Sequence, residues 1–297
     1  LLIKFISSNS LFGHSLLRPT LNYGAKITPG DNPLRYVLNG LFGGYEGSFT
    51  DERFYNYNHI YGENELRDLW EYPLNFTIQE RERVTYHAWE LLQNINFNYY
   101  FFLDNCAYRM AELLEMAWDD AARINTSGAL WAIPVDVVFK LQKFNKGSSQ
   151  QPLLGSPRLI PSRQRKLQQR VAQLSELEQA QLKSLIVTAD HLDSKQFISF
   201  PEKSQARIVD AMLDYLQYDK NGKFTLLQQN KLNKLLRLRS SLPILGTKAV
   251  AEIPHAPTEG EPPMRFRLGA IFNASLGPAL EVGSWANYHD LLGNESG

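Results

Sequence analysis

The segment Tyr99-Tyr100-Phe101-Phe102-Leu103-Asp104-Asn105-Cys106 forces a structural decision on this chain: an aromatic run has to stop and a helix has to start within a few residues. Asp and Asn are preferred helix N-caps, and Ala111-Glu112-Leu113-Leu114-Glu115-Met116-Ala117-Trp118 is strongly helical in composition. The spacing predicts that Cys106 falls in the first turn of that helix. Unpaired N–H groups and the positive end of the helix dipole favour a thiolate there, and the thiolate is the nucleophilic form of cysteine. Cys106 is the only cysteine among 297 residues. The competing fate is a buried thiol that packs as a small hydrophobe.

The length suits two or more domains, and 43% hydrophobic residues supply enough material for their cores. Lys+Arg and Asp+Glu are each 31, so the formal charge is zero, which argues against a nucleic-acid partner. A single cysteine forms no intrachain disulfide and leaves the redox compartment unread. No apolar run approaches the roughly 18 residues of a membrane-spanning helix. The chain opens Leu1-Leu2-Ile3-Lys4 without an initiator Met, which reads as a trimmed or mature fragment.

Residues 1–146 mix strand and helix signals. Leu1–Ile6, His14–Arg18 and Leu21–Ile27 read as strands, the last two joined tightly near Pro19-Thr20, and Gly40–Gly47 reads as a glycine-rich loop. That loop matches neither a phosphate-binding loop nor a dinucleotide fingerprint. Leu69–Phe76 alternates as a strand, and Thr77-Ile78-Gln79-Glu80 is a capping box opening a helix to about Gln93. A further segment covers Trp131–Phe144, with Pro134 where a helix can begin.

Residues 147–248 form a second region, a Ser/Gln/Gly/Pro linker and then helices. Its stripes are Leu167/Val171/Leu174/Leu177, Ile208/Met212/Leu216 and Leu232/Leu235/Leu236, read as packing. Residues 249–297 begin with a Pro-rich joint. Met264-Arg265-Phe266-Arg267-Leu268 then alternates as a half-buried strand, with a return strand at Leu280-Glu281-Val282. These strands are expected to pair with each other or dock on the first region, and to open a larger sheet or barrel in the intact protein.

A cysteine nucleophile needs a base, and the base needs an orienting group. Of six histidines, His14, His59 and His87 are the candidates for the base. His14 follows Gly13 at a strand pattern, where glycine permits close approach of a ligand. Asn22 is the first candidate to orient the imidazole, with Tyr23 and Glu71 behind it. No zinc-ligand spacing and no Gly-x-Ser-x-Gly elbow occurs, so no metal or cofactor is expected. Asp219-Lys220-Asn221-Gly222 lacks the later ligands of a calcium loop and reads as a turn. Glu63, Glu65, Asp68 and Glu71 show no spacing that singles out a glycosidase pair, so structural pairing is the expectation.

Four motifs stand in order: Phe12-Gly13-His14-Ser15 with Arg18, Gly40-Leu41-Phe42-Gly43-Gly44-Tyr45, Arg67-Asp68-Leu69-Trp70-Glu71-Tyr72, and Tyr99-Tyr100-Phe101-Phe102 leading to Asn105-Cys106 and Tyr108. Together they make residues 1–145 resemble the bacterial extracytoplasmic family that contains the Lnb-type lipoprotein N-acyltransferases. The resemblance implies an α+β chain whose first domain is a circularly permuted papain/NlpC-like fold, with the histidine strand before the cysteine helix. It implies Cys106 as nucleophile and His14 as base. Tyr288-His289-Asp290-Leu291-Leu292 resembles the motif that opens an outer-membrane-type barrel in larger relatives.

The function expected on this basis is acyl transfer through a Cys106 thioester, on an acylated lipoprotein or phospholipid, in the periplasm and in association with the outer membrane. Gly13, Trp70, Tyr72 and Asn105 are the expected substrate-binding residues, and the aromatics from Tyr99 to Phe102 would suit an acyl chain if they are exposed. The alternatives are a cell-wall peptide amidase of NlpC type and a non-catalytic plug or recognition module of a barrel.

Overall fold

The computed structural model describes residues 2–5, 15–27, 30, 32–93, 95–118, 124, 133–144, 152–187, 192–220, 224–245, 253–262, 265–273 and 277–285. The chain is a mixed α+β protein. It divides into two compact units, 1–55 with 72–158 and 254–297, and 56–71 with 159–253.

The first unit is built on a four-stranded antiparallel sheet in the order β1 (Leu2–Lys4), β2 (Pro19–Ala25), β3 (Tyr45–Arg53) and β5 (Asn96–Tyr99). The register sets Leu2 opposite Asn22, Asn22 opposite Thr50, and Tyr45 opposite Tyr99. Side chains alternate across a strand, and here the alternation separates the two faces. Leu21, Tyr23 and Phe49 are buried in one core, with Phe97 and Tyr99 packed against it. Asn22, Ser48 and Thr50 occupy the opposite, more open face.

Two helices close the apolar face. α3 (Ile78–Leu92) contributes Val84, Ala88 and Leu91, and α4 (Cys106–Glu115) contributes Met110 and Leu113. The opposite side of α4 is buried too. Ala107, Ala111 and Leu114 pack with Val137, Val138 and Leu141 of α5 (Pro134–Lys143) and with Leu153 and Leu154. The expected signals hold at these helices. Thr77 and Glu80 form the capping box of α3, and Pro134 occupies the first turn of α5.

Some local expectations are corrected. Ser15–Leu17 is a short 3-10 turn, not a strand. Its Leu17 carbonyl accepts from Arg53 Nη1 at 2.9 Å. Pro19-Thr20 is no connection, since both residues lie inside β2. Pro19 stands first in the strand, where its missing N–H costs nothing, and its carbonyl accepts from Phe5 N–H at 3.1 Å. The glycine-rich segment is divided between helix and strand: α1 (Pro33–Phe42) runs through Gly40, Gly43 ends it at φ +73°, and β3 begins at Tyr45. The strand at Leu69 is the short β4 (Leu69–Glu71) followed by an isolated bridge from Leu74 to Leu154.

In the second unit, β4 pairs with β6 (Arg158–Ile160), and the short α2 (Phe54–Tyr57) spans the boundary with the first unit. The rest is helical: α6 (Arg163–Ala172), α7 (Glu176–Val187), α8 (Lys195–Ile198), α9 (Glu202–Lys220) and α10 (Leu226–Ser241). α9 is the central element, with Ile208, Val209, Met212 and Leu216 buried against Leu182, Leu185 and Leu235. Leu174 joins this core as expected, but Leu177 is exposed. α6 ends at Ala172 and α7 begins at Glu176, so the helical register does not carry across that break. Leu236 is likewise exposed beside the buried Leu235. Three of the acidic residues once weighed as a glycosidase pair have structural partners: Glu63 bonds Arg163, Glu65 bonds Arg67, and Asp68 bonds Arg165 and the Ser162 N–H.

At the C-terminal end, β7 (Arg265–Asn273) and β8 (Gly277–Trp285) form an antiparallel hairpin, so the expected pairing holds. The expected burial does not. Leu268, Phe272, Leu280 and Val282 are all about four-fifths exposed. The motif at Tyr288–Leu292 lies outside the described residues.

Glu178 supplies a test of the helical core. It is 3% exposed and meets Arg207 Nη2 at 2.5 Å and the Ser175 N–H at 2.8 Å. Burial by itself raises its pKa, but these donors outweigh burial and hold the carboxyl below its ordinary 4.5. A depressed folded pKa contributes stability that is complete above the unfolded value and is lost as pH falls through the folded one. Glu178→Gln is therefore expected to cost about 1–3 kcal/mol at pH 7. Its deficit against the wild type should shrink as the pH is lowered below about 4.5. Urea melts followed by helical circular dichroism measure both; a deficit that does not change with pH would contradict the assignment.

Candidate functional site

Asn105 decides where α4 starts. It is 7% exposed, with extended backbone at φ −92° and ψ −173°. Its Oδ1 accepts from the Ala107 N–H at 2.9 Å and the Tyr108 N–H at 3.2 Å, while its Nδ2 donates to the Phe101 carbonyl at 3.1 Å. One side chain thus ties the helix start to the end of the aromatic run. Cys106 follows as the first helical residue and is half-buried. It sits at the edge of the core, where a thiol is held in place yet open to reagents. The expectation for the cysteine helix holds, with Asn105 and not Asp104 as the cap.

The aromatic run is seated on the glycines of the earlier motif. A Cβ at Gly40 would collide with the Phe101 ring, and one at Gly43 with the Tyr100 ring. One at Gly47 would strike both the Tyr23 hydroxyl and the Tyr99 ring. The Phe101 N–H also donates to the Gly40 carbonyl at 2.8 Å. Two of the motifs noted in the sequence are therefore halves of one packing arrangement. Tyr99, Tyr100 and Phe101 are taken up by it, and Phe102 and Leu103 remain exposed.

The polar surroundings of Cys106 come from three elements. Tyr99, at the end of β5, packs against the same core cluster as Cys106. Burial first, and then the charge of an ionised Cys106, push the Tyr99 phenol up to about 12. The Tyr99 ring stacks on Tyr23 of β2 at 5.7 Å between centroids. Burial raises the Tyr23 phenol as well, opposed by the Arg109 guanidinium beside it. Arg109, on α4, lies 4.0 Å over the Phe97 ring and bonds Glu112 at 2.8 Å and Asp104 at 3.4 Å. Tyr99 lies in the aromatic motif noted in the sequence, whereas Arg109 carries no sequence signal of a site. Tyr99 stands seven residues before the cysteine on a different element, and only strand pairing and the following turn bring it back.

The expected site residues are distributed as follows. His14 and Gly13 lie outside the described residues. Asn22 is on the open face of the sheet, whereas Cys106 packs on the Tyr23 face, so the structure does not bring Asn22 to the thiol. Tyr72 packs beneath α4 in the core with Ala107 and Leu114, and its hydroxyl accepts from Thr258 Oγ1 at 3.3 Å. Trp70 and Glu71 lie on β4 in the second unit. His59 pairs with Glu63 at 2.9 Å, His87 with Glu90 at 3.2 Å and His255 with Glu259 at 3.1 Å. Each is a local pair with a carboxylate three or four residues on.

The capping role of Asn105 predicts a graded response. Asn105→Ala is expected to lower stability by about 1–2 kcal/mol, and Asn105→Asp by much less, because Asp caps equally well. Urea denaturation of both variants checks this; equal losses would show that the side-chain oxygen is not what matters.

A family model described as the Lnb N-terminal periplasmic domain matches residues 1–143. A second, described as Domain of unknown function (DUF7842), matches residues 160–249, a stretch that coincides with most of the helical unit. No curated protein and no solved structure matches the chain. The first match ends at α5 and covers the sheet, the glycine seats and the Cys106 helix. Residues 1–143 therefore match the Lnb N-terminal periplasmic domain, which supports an Lnb-type envelope protein with a periplasmic N-terminal domain.

Proposed function

We propose that the chain is a cysteine-dependent acyltransferase acting through a thioester on an acylated envelope substrate, a lipoprotein N-terminus with its lipid ester. The observation that carries this reading is the thiol of Cys106, half-buried in the first turn of an enclosed helix within a domain of the Lnb family. Helix N-termini lower thiol pKa and offer N–H groups to a developing oxyanion. In the proposed reaction His14 takes the Cys106 proton and Sγ bonds to the acyl carbon. Collapse of the tetrahedral adduct expels the alcohol with that proton. His14 then takes a proton from the acceptor amine, which attacks the thioester and releases Cys106. Asn22 belongs to the far face of the sheet, so the proposal rests on Cys106 and His14 without a third member.

A lipid substrate is favoured over a cell-wall peptide by the surface of α1. Tyr36 packs 5.0 Å from Phe101 and Gly40 is buried beneath the same ring, which fixes the inner side of this helix. Leu34, Val37, Leu38, Leu41 and Phe42 project on the other side and are exposed. Phe102 and Leu103, just before the capped cysteine, extend the apolar material toward the thiol. An apolar cluster of this extent signals a binding surface. For outer-membrane association the support is the hairpin: two nine-residue strands, with Leu268, Phe272, Leu280 and Val282 on one face and the Arg267–Glu281 pair at 3.4 Å. That length and alternation fit a lipid-facing strand pair. No helix among the described residues is long and apolar enough to cross a membrane.

The test is to incubate the protein with a diacylated lipopeptide and a phospholipid and to look for acyl-Cys106 by mass spectrometry. Wild type should carry a hydroxylamine-labile acyl group and Cys106→Ala none. His14→Ala should slow acylation by about 10²–10⁴-fold. Undiminished transfer by Cys106→Ala would end the proposal, and acylation only by a peptide donor would move it to the amidase reading.

A further inference from the structure

We infer that one end of the helical unit docks on an anionic phospholipid bilayer, its apolar side chains entering the headgroup layer and its lysines meeting the lipid phosphates. The inference concerns residues 160–249, goes beyond the proposed function and does not depend on it.

The zero formal charge of the chain conceals a division. Residues 160–249 hold 15 Lys and Arg against 8 Asp and Glu, so this segment carries +7 and the remainder of the chain −7. Packing widens the imbalance at the surface. Glu178, Asp193, Asp210 and Asp214 are each engaged by an Arg or Lys of the same unit. Lys183, Lys195, Lys203 and Arg237 are exposed and form no ion pair among the described residues. A body with such an excess is drawn to a negative surface.

Helix packing decides where apolar material meets that charge. α10 runs back along α9: a short connection joins them, and Arg239, near the end of α10, bonds Asp210 in the first half of α9 at 2.7 Å. The end of α9 and the start of α10 therefore lie together. α7 finishes at the same place, since the Leu185 carbonyl in its last turn accepts from Lys231 Nζ at 2.7 Å. α6 begins there, where Arg163 Nη1 donates to the Gln217 carbonyl of α9 at 3.0 Å.

Phe224 packs on the helical core and Thr225 closes a capping box with Gln228, which fixes the entry into α10. The next two residues, Leu226 and Leu227, turn outward and are 87% and 74% exposed. Val187, the last residue of α7, is 85% exposed. Lys183 is exposed one turn before it on the same face, and Lys166 is exposed in the first turn of α6. One exposed leucine is ordinary. Three large apolar side chains at one end of a basic unit, with lysines beside them, have the composition of an interfacial site. A soluble anionic polymer would use the charge and leave Val187, Leu226 and Leu227 in water; a bilayer uses both.

The experiment takes the full chain in a Cys106→Ala background with one new cysteine carrying a nitrobenzoxadiazole fluorophore, at Leu227→Cys or at Leu236→Cys. Leu236 is also exposed but stands about 14 Å further along α10. Vesicles of phosphatidylglycerol should shift the emission of the label at 227 to the blue and leave the label at 236 near its aqueous value. Vesicles of phosphatidylcholine should shift neither. Lys183→Gln should weaken binding to phosphatidylglycerol about fivefold, the effect of one basic residue near an anionic surface. Lys203 is in the first turn of α9, about 20 Å from Gln217 along that helix and beyond the Debye length at physiological salt. Lys203→Gln should therefore bind like the unsubstituted chain. If Leu227→Cys does not fold, the same label at Val187→Cys gives the same reading. An unshifted label at the tip with phosphatidylglycerol overturns the inference, even if the protein sediments with the vesicles through another surface. An equal shift with phosphatidylcholine, an equal shift with soluble heparin, or equal losses for Lys183→Gln and Lys203→Gln overturn it as well.

Discussion

Enclosing α4 on two sides is the constraint that orders the first unit. The helix is buried on two sides, by the sheet on one and by α5 on the other. It needs small residues where it is crowded, and Ala107 and Ala111 supply them. It needs its unpaired N–H groups satisfied before they are buried, and Asn105 satisfies two. Cys106, on which the proposed chemistry turns, is the first residue of this helix and is half-buried.

The cap, the helices and the terminal hairpin were legible because each is specified locally. Thr77 with Glu80, Asn105 before a helical run and Pro134 at a first turn are short-range signals, and each marks the element it should. Strand assignments failed where the deciding partner was remote. Nothing local distinguishes Ser15–Leu17 from a strand, since the contact that occupies its carbonyl comes from Arg53. The glycines of Gly40–Gly47 suggested a loop by composition. Their actual purpose, to leave room for Phe101, Tyr100, Tyr99 and Tyr23, depends on strands and turns far along the chain. The site was legible only in part for the same reason. Cys106 has a local signature, whereas Tyr99 acquires its position through pairing. Asn22 is a near neighbour of the histidine segment in sequence, but the alternation of β2 sends it to the other face.

The second unit follows a different logic. Its packing is a set of apolar stripes around α9, and its polar devices brace helix starts and neighbouring helices. Glu178 is the clearest case, capping at Ser175 while bonding Arg207 across to α9. Arg163 and Arg165 do comparable work against Glu63 and Asp68. Among these groups the acidic residues have structural partners, which is why their clustering in the sequence carried no catalytic meaning.

The glycine seats also bear on how the molecule assembles. Gly40 and Phe101 are about sixty residues apart along the chain, and neither has a reason to be ordered without the other. Contacts of such separation form late and slow the approach to the native state. Until they form, the aromatic run has no socket and the turn leading to Cys106 has no fixed path. The single thiol is therefore unprotected for longest during folding, in a compartment that oxidises thiols. These 297 residues hold no second cysteine with which it could pair. Speed in closing the sheet around Tyr99 is accordingly a chemical safeguard as well as a structural step.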